Sequence, residues 1–379
     1  MKIVIAPDSF KGSLSANEVA NAIEEGIRKY NTDFVIEKVP MADGGEGTVE
    51  SLVTSTNGKF ITKKVKDPLM RDIEGFYGIL GDNNTAVIEM AAASGLPLLK
   101  EYEKNPLYTS TFGTGQLIKD ALDRGCRDFI IGLGGSATND GGTGMLKALG
   151  VKFLKANGEE IRDGAIELDE INKIDMSQFD KRVLESDIKI ASDVDNTLCG
   201  EFGASYVFGP QKGADKKTVE ILDKKLYFYG QSLEKEFQIN VINAAGSGAA
   251  GGMGAAFIAV MKGTLNRGID IVIEKSNLIE KLDNANLVFT GEGKIDSQTK
   301  FGKTPFGVAS VAKKKNIPVI ALAGGIGDGY SDLYDYGFHG IFSIVDKPMT
   351  LDESMKNSKE LVREAAYRII NLYMVHKTL

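Results

Sequence analysis

Asp8, Ser9, Lys11 and Ser13 crowd the segment PDSFKGSLSA at 7–16, between a short apolar run and a helix start. A helix start offers free N–H groups to an anion, and a lysine there opposes the helix dipole unless an anion lies between them. The plain alternative is a polar loop capped by Ser15. Asp43 and Glu46 flank two glycines in MADGGEGT at 41–48, which suits a water-held metal, an anion on backbone N–H groups, or simply a tight turn with a capping acid. GLGGSATNDGGTG at 132–144 places six glycines in thirteen residues. With Gly134, Gly135, Ser136 and Asn139 it has the composition of a phosphate cradle, although close strand–helix packing also uses glycine. ASDVDNTLCG at 191–200 brings Asp193, Asp195 and Asn196 to a strand end. In extended backbone the two acids project to one side, as a pair of oxygens for a hard cation or as a base beside a ligand. Solvated turn acids would look the same. VFGPQKGA at 207–214 adds Gln211 and Lys212 in a Gly/Pro loop.

Two further segments imitate nucleotide motifs. Gly246, Gly248 and Gly251 spell G-x-G-x-x-G, and Glu274 stands where a dinucleotide fold would place its ribose acid. The strand before these glycines is short and polar-edged and no second βαβ half follows, so a glycine turn is the better reading. FTGEGKIDSQTKFGKTP at 289–305 crowds Glu292, Lys294, Asp296, Gln298, Lys300 and Lys303 into one loop. Its end misses the phosphate-loop pattern G-x-x-x-x-G-K-[ST] because Ser297 replaces the first glycine and Pro305 follows at once. Acids, amides and lysines together still suit a metal–phosphate centre, or a solvated loop.

The elements that must hold these loops alternate strand and helix. Strands are expected at 2–6, 34–39, 128–132, 187–192, 239–242, 286–290, 317–322 and 341–345. Helices are expected at 16–30, 46–56, 114–124, 141–149, 215–237, 252–262, 304–315 and 357–376. Ser15 and Glu18 form the capping box of the first helix. Residues 60–66, 73–80 and 85–90 read as a β-meander, and 155–185 is charged and weakly patterned. The fold class is therefore α/β: a doubly wound parallel domain (Rossmann- or flavodoxin-like), 1–65 plus 275–379, split by an inserted α/β domain, 66–274, with 105–150 assignable to either. A cleft between such domains is the default ligand site.

Composition narrows the classes. Forty-five basic against fifty-two acidic side chains give a net charge of −7 without a basic block, which argues against nucleic acid as a partner. No apolar run is long enough to span a bilayer. No signal-peptide core can form before Pro7 and Asp8. Two cysteines, Cys126 and Cys199, make no disulfide scaffold and point to a reducing cytoplasm. Two histidines, His339 and His376, build no typical zinc site.

Taken together and in order, PDSFKGSLSA, MADGGEGT, EMAAASGL, GTGQLI with GLGGSATNDGGTGML, ASDVDN, VFGPQKGA, GSGAAGGMG and TGEGKIDSQTKFGKTP resemble the bacterial glycerate kinases of the two-domain type, from residue 5 to about 325. One departure is Thr197, where relatives commonly carry proline. The resemblance implies ATP-dependent phosphorylation of D-glycerate, mostly at the 2-hydroxyl, by two α/β domains. Phosphoryl transfer needs cations on the phosphates, a metal, an in-line hydroxyl and a carboxylate to take its proton. Asp193 is the expected base, and Lys11 and Arg71 the partners of the glycerate carboxylate or the transferred group. Asp8, Ser9, Asp195, Asn196 and Lys212 are the expected substrate contacts. Gly134, Gly135, Ser136, Asn139 and Lys303 are expected on ATP phosphates, and Asp296 and Glu292 on Mg²⁺. The rivals are an NAD-dependent oxidoreductase using the 246–251 glycines and a non-catalytic binding protein for small organic anions. The sequence leaves open whether the chain forms a homo-oligomer.

Overall fold

A computed structural model of the chain describes the backbone of residues 1–378 and the side chains of 1–375. His376 therefore lies outside the described side chains. In chain order the elements are β1 (Lys2–Ile5), α1 (Ala16–Tyr30), β2 (Val35–Lys38), α2 (Thr48–Ser55), β3 (Lys59–Lys66), β4 (Asp72–Ile79), β5 (Thr85–Glu89), α3 (Ala91–Ser94), α4 (Phe112–Asp123), β6 (Asp128–Gly132), α5 (Thr143–Ala148), β7 (Lys152–Leu154), β8 (Lys173–Asp175), β9 (Asp187–Ala191), α6 (Ala204–Phe208) and α7 (Lys216–Phe237). They continue with α8 (Ala249–Ala259), β10 (Thr264–Asn266), α9 (Gly268–Lys275), α10 (Leu278–Lys281), β11 (Leu287–Ile295), α11 (Thr304–Lys314), β12 (Val319–Ile326), β13 (Phe338–Ser343), α12 (Leu351–Lys356) and α13 (Ser358–Thr378).

The chain divides into two compact units. Unit 1 comprises Met1–Asp43, Glu50–Asn57 and Arg267–Leu379; unit 2 comprises Gly44–Val49 and Gly58–Asn266. The boundary differs from the expected one. Residues 59–66 form β3, which pairs along its length with β4 and so belongs to the second sheet, and 105–150 fall wholly within unit 2.

Unit 1 is built on a parallel five-stranded sheet in the order β13-β12-β11-β1-β2. Ile3 and Ile5 of β1 join Val19, Ile23 and Ile27 of α1 and Val362 and Ile370 of α13 in one apolar layer. Such fully buried aliphatic side chains each contribute about 1.5–3 kcal/mol. The helices pack closely because Gly26 lacks a side chain: a Cβ there would lie 2.2 Å from the Arg363 carbonyl oxygen. Val4 and Val288, which alternate with the first set, are equally buried, so both faces of the sheet are covered. The capping box at Ser15 and Glu18 is present as the sequence predicts. From β1 the chain passes outward to β2, whereas from the adjacent β11 it passes outward the other way to β12 and β13. The loops after β1 and β11 thus diverge at a topological switch point, where open parallel sheets bind ligands.

Unit 2 carries a six-stranded sheet, β10-β9-β6-β5-β4-β3, parallel from β10 to β5 and antiparallel beyond. Its edge strand β3 carries Lys59, Lys63, Lys64 and Lys66, charges that discourage pairing with another chain. The core gathers Ile88, Leu117, Phe129, Ile131, Tyr229 and Phe257. The weakly patterned 155–185 region contributes β8, which pairs with β7. The strand expected at 239–242 does not form. The Glu234 carboxylate accepts the N–H groups of Val241 and Ile242 at 2.9 and 3.0 Å, so those donors never join a ladder.

Candidate active site

In unit 1 the switch point is occupied by carboxylates and cations. Loop 8–13 lies along β11: the Asp8 N–H donates to the Gly291 carbonyl at 2.8 Å, and a Cβ on Gly293 would lie 3.6 Å from the Lys11 backbone nitrogen. Asp8 is gripped on both oxygens. Oδ1 accepts the Ser9 N–H at 2.6 Å and Oδ2 the Thr304 hydroxyl at 2.5 Å, Thr304 being the first residue of α11. Burial, then the neighbouring Asp43 charge, push the Asp8 carboxyl up to about 7 against these hydrogen bonds, with Glu292 adding to the rise. Glu292 accepts the Thr299 hydroxyl at 2.8 Å and pairs with Lys303 at 3.3 Å. Burial raises it and Lys303 opposes the rise. Asp296 pairs with Lys294 at 3.0 Å, which holds it below its ordinary value. The 296–303 loop ends in Gly302, at φ +105°, with Lys303 as N-cap of α11. The region that narrowly misses the phosphate-loop pattern is therefore a strand–loop–helix whose lysine stands at a helix start.

The acids outnumber the cations near Asp8, and this crowding is what a divalent cation relieves. Among the described residues no group of three or more His, Cys, Asp or Glu is disposed to hold a metal. Mg²⁺ usually takes only one or two carboxylates and otherwise waters and phosphate oxygens, so Glu292 and Asp296 fit it.

In unit 2 the Gly-rich loop follows β6. Gly134 and Gly135 are exposed, and the backbone is tied down by Leu96 N–H to Gly135 O at 2.9 Å and Ala137 N–H to Ser94 O at 2.9 Å. The rest of the loop departs from expectation. Ser136 and Asn139 are buried; Asn139 Nδ2 donates to Ser205 Oγ at 3.1 Å and braces the loop, while Asn139 Oδ1 and Thr138 Oγ1 are buried without a hydrogen-bond partner. The N–H groups after Gly141 are not open to an anion either. Asp140 takes them, accepting from Gly142 at 3.1 Å and Gly144 at 3.2 Å, and from Thr111 N and Oγ1 at 2.8 Å each. The sequence offers Asp140 only as one of several polar contacts of the loop; its place before two glycines at a helix start is the signal for this capping role.

Lys212 is enclosed as well. It is 1% exposed, its Nζ donates to the Thr138 carbonyl at 2.6 Å, and burial lowers it to about 7 while Asp140 opposes the shift. So enclosed, it anchors the loop through Thr138. Arg71 is exposed but engaged by Asp67 at 2.5 Å and Glu103 at 2.7 Å, both of which hold its proton more firmly. β9 stops at Ala191, so Asp193 and Asp195 stand exposed in a loop rather than on one side of a strand. Asn196 donates to the Phe202 carbonyl at 2.7 Å.

The G-x-G-x-x-G segment fails the dinucleotide pattern physically. No strand precedes it, and Ala250, Gly251 and Gly252 are left-handed inside α8. A Cβ on Gly251 would fall 2.0 Å from the Thr138 carbonyl, so the glycine serves packing against the 132–144 loop. Among the described residues no helix is long and apolar enough to cross a membrane.

A family model described as the glycerate kinase family matches residues 3–374. A glycerate kinase from Halalkalibacterium halodurans is 48% identical over 97% of this chain and 97% of its own length. The glycerate 2-kinase of Escherichia coli is 47% identical, again over 97% of each. A crystal structure from Salmonella typhimurium LT2, assigned as glycerate kinase 2, superposes with a TM-score of 0.92 at 47% identity, covering 100% of both chains.

Proposed function

The chain belongs to the glycerate kinase family, and from that premise we propose that it transfers the γ-phosphoryl group of ATP to the 2-hydroxyl of D-glycerate. The observation that carries the reading is Asp8: a carboxyl pushed up to about 7, at a switch point, beside Thr304 at the start of α11. A base poised near neutral pH is what proton removal from an alcohol needs. We assign that role to Asp8 in preference to Asp193, whose side chain is exposed. The position of Asp193 just beyond β9 keeps it as the second carboxylate to test.

Lys303 and the first turn of α11 supply positive charge for phosphate oxygens, and exposed Gly134 and Gly135 in unit 2 allow backbone N–H groups to approach phosphate without a side chain between. Lys11 and Ser9 are left for the glycerate carboxylate and the transferred group. Mg²⁺, held by Glu292 and Asp296, would neutralise charge developing on the phosphates. The 2-hydroxyl is preferred because the E. coli relative is named a 2-kinase. A cytoplasmic setting fits two unpaired thiols, of which Cys126 is buried.

The test is a coupled ADP assay. With ATP and Mg²⁺ the protein should release ADP slowly, and D-glycerate at millimolar concentration should raise the rate sharply, with 2-phosphoglycerate as product. No rise over background would remove the kinase reading; 3-phosphoglycerate as product would correct the position of transfer.

A further inference from the structure

Glu89 ends β5 and opens the EMAAASGL motif, for which the reaction above has no use. Its side chain is 9% exposed. Oε1 accepts the Val49 N–H at 2.8 Å, and the backbone N–H groups of Gly47 and Thr48 also favour the charged carboxylate. They stand at the start of α2, where N–H groups lack an intrahelical acceptor, and a carboxylate is a strong one. The same stretch is held by bare glycines. A Cβ on Gly132 would lie 2.4 Å from the Gly44 carbonyl oxygen, and one on Gly134 would lie 3.1 Å from the Gly45 Cα. As a result Gly44–Val49 packs with unit 2, although the residues before and after it pack with unit 1. Asp43, whose charge helps set Asp8, is covalently the residue before this strap.

We propose that Glu89 is a positioning residue for phosphoryl transfer: it fixes the 44–49 strap through the Gly47–Val49 N–H groups and so acts on turnover through Asp43. This rests on the kinase reading. Burial and the Glu46 charge push Glu89 up to about 7, so glutamine, neutral and with an acceptor in the same place, is a fair isostere.

Four proteins test it: wild type, Glu89→Ala, Glu89→Gln and Gly47→Ala. Gly47 has φ +89° and nothing within 4 Å of an added Cβ, so its alanine variant disturbs only the strap's backbone and leaves Glu89 intact. Misplacement of a reacting group by about 1 Å costs up to roughly 10²-fold in rate. Glu89→Ala and Gly47→Ala should therefore lose roughly 10–100-fold in kcat, with the KM for ATP within about threefold of wild type. Glu89→Gln should recover most of the rate. Hydrogen exchange at amides 47–49 should accelerate in Glu89→Ala and stay near wild type in Glu89→Gln. Wild-type kcat in Glu89→Ala, equal loss in both Glu89 variants, or unchanged exchange each overturns the proposal. A wild type that makes no ADP with glycerate sinks the kinase reading and the catalytic half of this one, while exchange still decides whether Glu89 holds the strap.

Discussion

As the proposed base, Asp8 would illustrate a conflict common at active sites, where a group useful to the reaction costs the fold something. Its carboxyl lies near 7 when folded against an ordinary 3.8, so the unfolded chain releases the proton first. Stability from this group is fully present below pH 3.8 and is lost as pH rises from there to about 7, after which the loss is constant. A base has the opposite requirement: kcat/KM should climb with pH through about 7 as Asp8 deprotonates. Asp8→Asn keeps an acceptor for the Ser9 N–H and leaves the Thr304 hydroxyl a group to bond. It should lower kcat by roughly 10²–10⁴, remove the rise near pH 7, and at pH 8 melt higher than wild type. If Asp193→Asn shows the large loss and Asp8→Asn remains active, the base is on the other unit. The sequence marks the Asp8 segment as a candidate ligand loop but does not mark Asp8 as the candidate base. Its pKa depends on Asp43, Glu292 and Thr304, which lie 35 to 296 residues away and are brought near only by β2, β11 and α11.

Among the elements, α8 is the one whose geometry could not be read from its residues. Its composition reads as a plain apolar helix from 252, yet Ala250, Gly251 and Gly252 have φ of 51, 70 and 90°. A left-handed conformation costs a residue with a Cβ about 1–2 kcal/mol, so Ala250→Gly should stabilise the protein by up to about 1 kcal/mol. Gly251→Ala should do the reverse and cost more than about 2 kcal/mol, because its Cβ would meet the Thr138 carbonyl at 2.0 Å and push on the Gly-rich loop. Chemical denaturation of the two variants checks both signs; a neutral Gly251→Ala would mean that the left-handed turn is not tightly held. Elements with strong local signals were legible: β1 from KIVI, α1 from its capping box, α7 from its apolar stripe. The 239–242 strand was misread because a side chain, Glu234, took the backbone donors, and such competition leaves no periodic trace. The burial of Lys212 and Asn139 was not legible, because residue type and loop context do not report burial.

For the molecule as a whole, the two units differ in how they use the chain. The sheet of unit 1 takes β1 and β2 from the first 57 residues and β11, β12 and β13 from the last hundred or so, so neither part can close its core alone. Unit 2 has all of β3 to β10, and its apolar core runs from Val65 to Met261 without borrowing from unit 1. A fragment of residues 58–266 is therefore expected to fold by itself, losing only the 44–49 strap that covers Gly132, Gly134 and Glu89, groups that water can then solvate. Residues 1–266 should add that strap but leave β1 and β2 as a two-stranded remnant, too small to be stable. Cooperative melting followed by near-ultraviolet circular dichroism checks the first point, and hydrogen exchange of residues 1–43 the second. If the exposed Gly134–Gly135 backbone holds phosphate unaided, ATP in large excess over Kd should still raise the melting point of 58–266, since a ligand that binds only the folded state stabilises it by about 2.7 kcal/mol at a hundred times Kd. A fragment with native helix content but no cooperative melt would show that unit 2 needs unit 1 to fix its packing. A fragment that melts cooperatively and ignores ATP would move the nucleotide's principal contacts to Lys303 and the start of α11, and Lys303→Met in the full chain would then be expected to raise the KM for ATP while sparing that for glycerate.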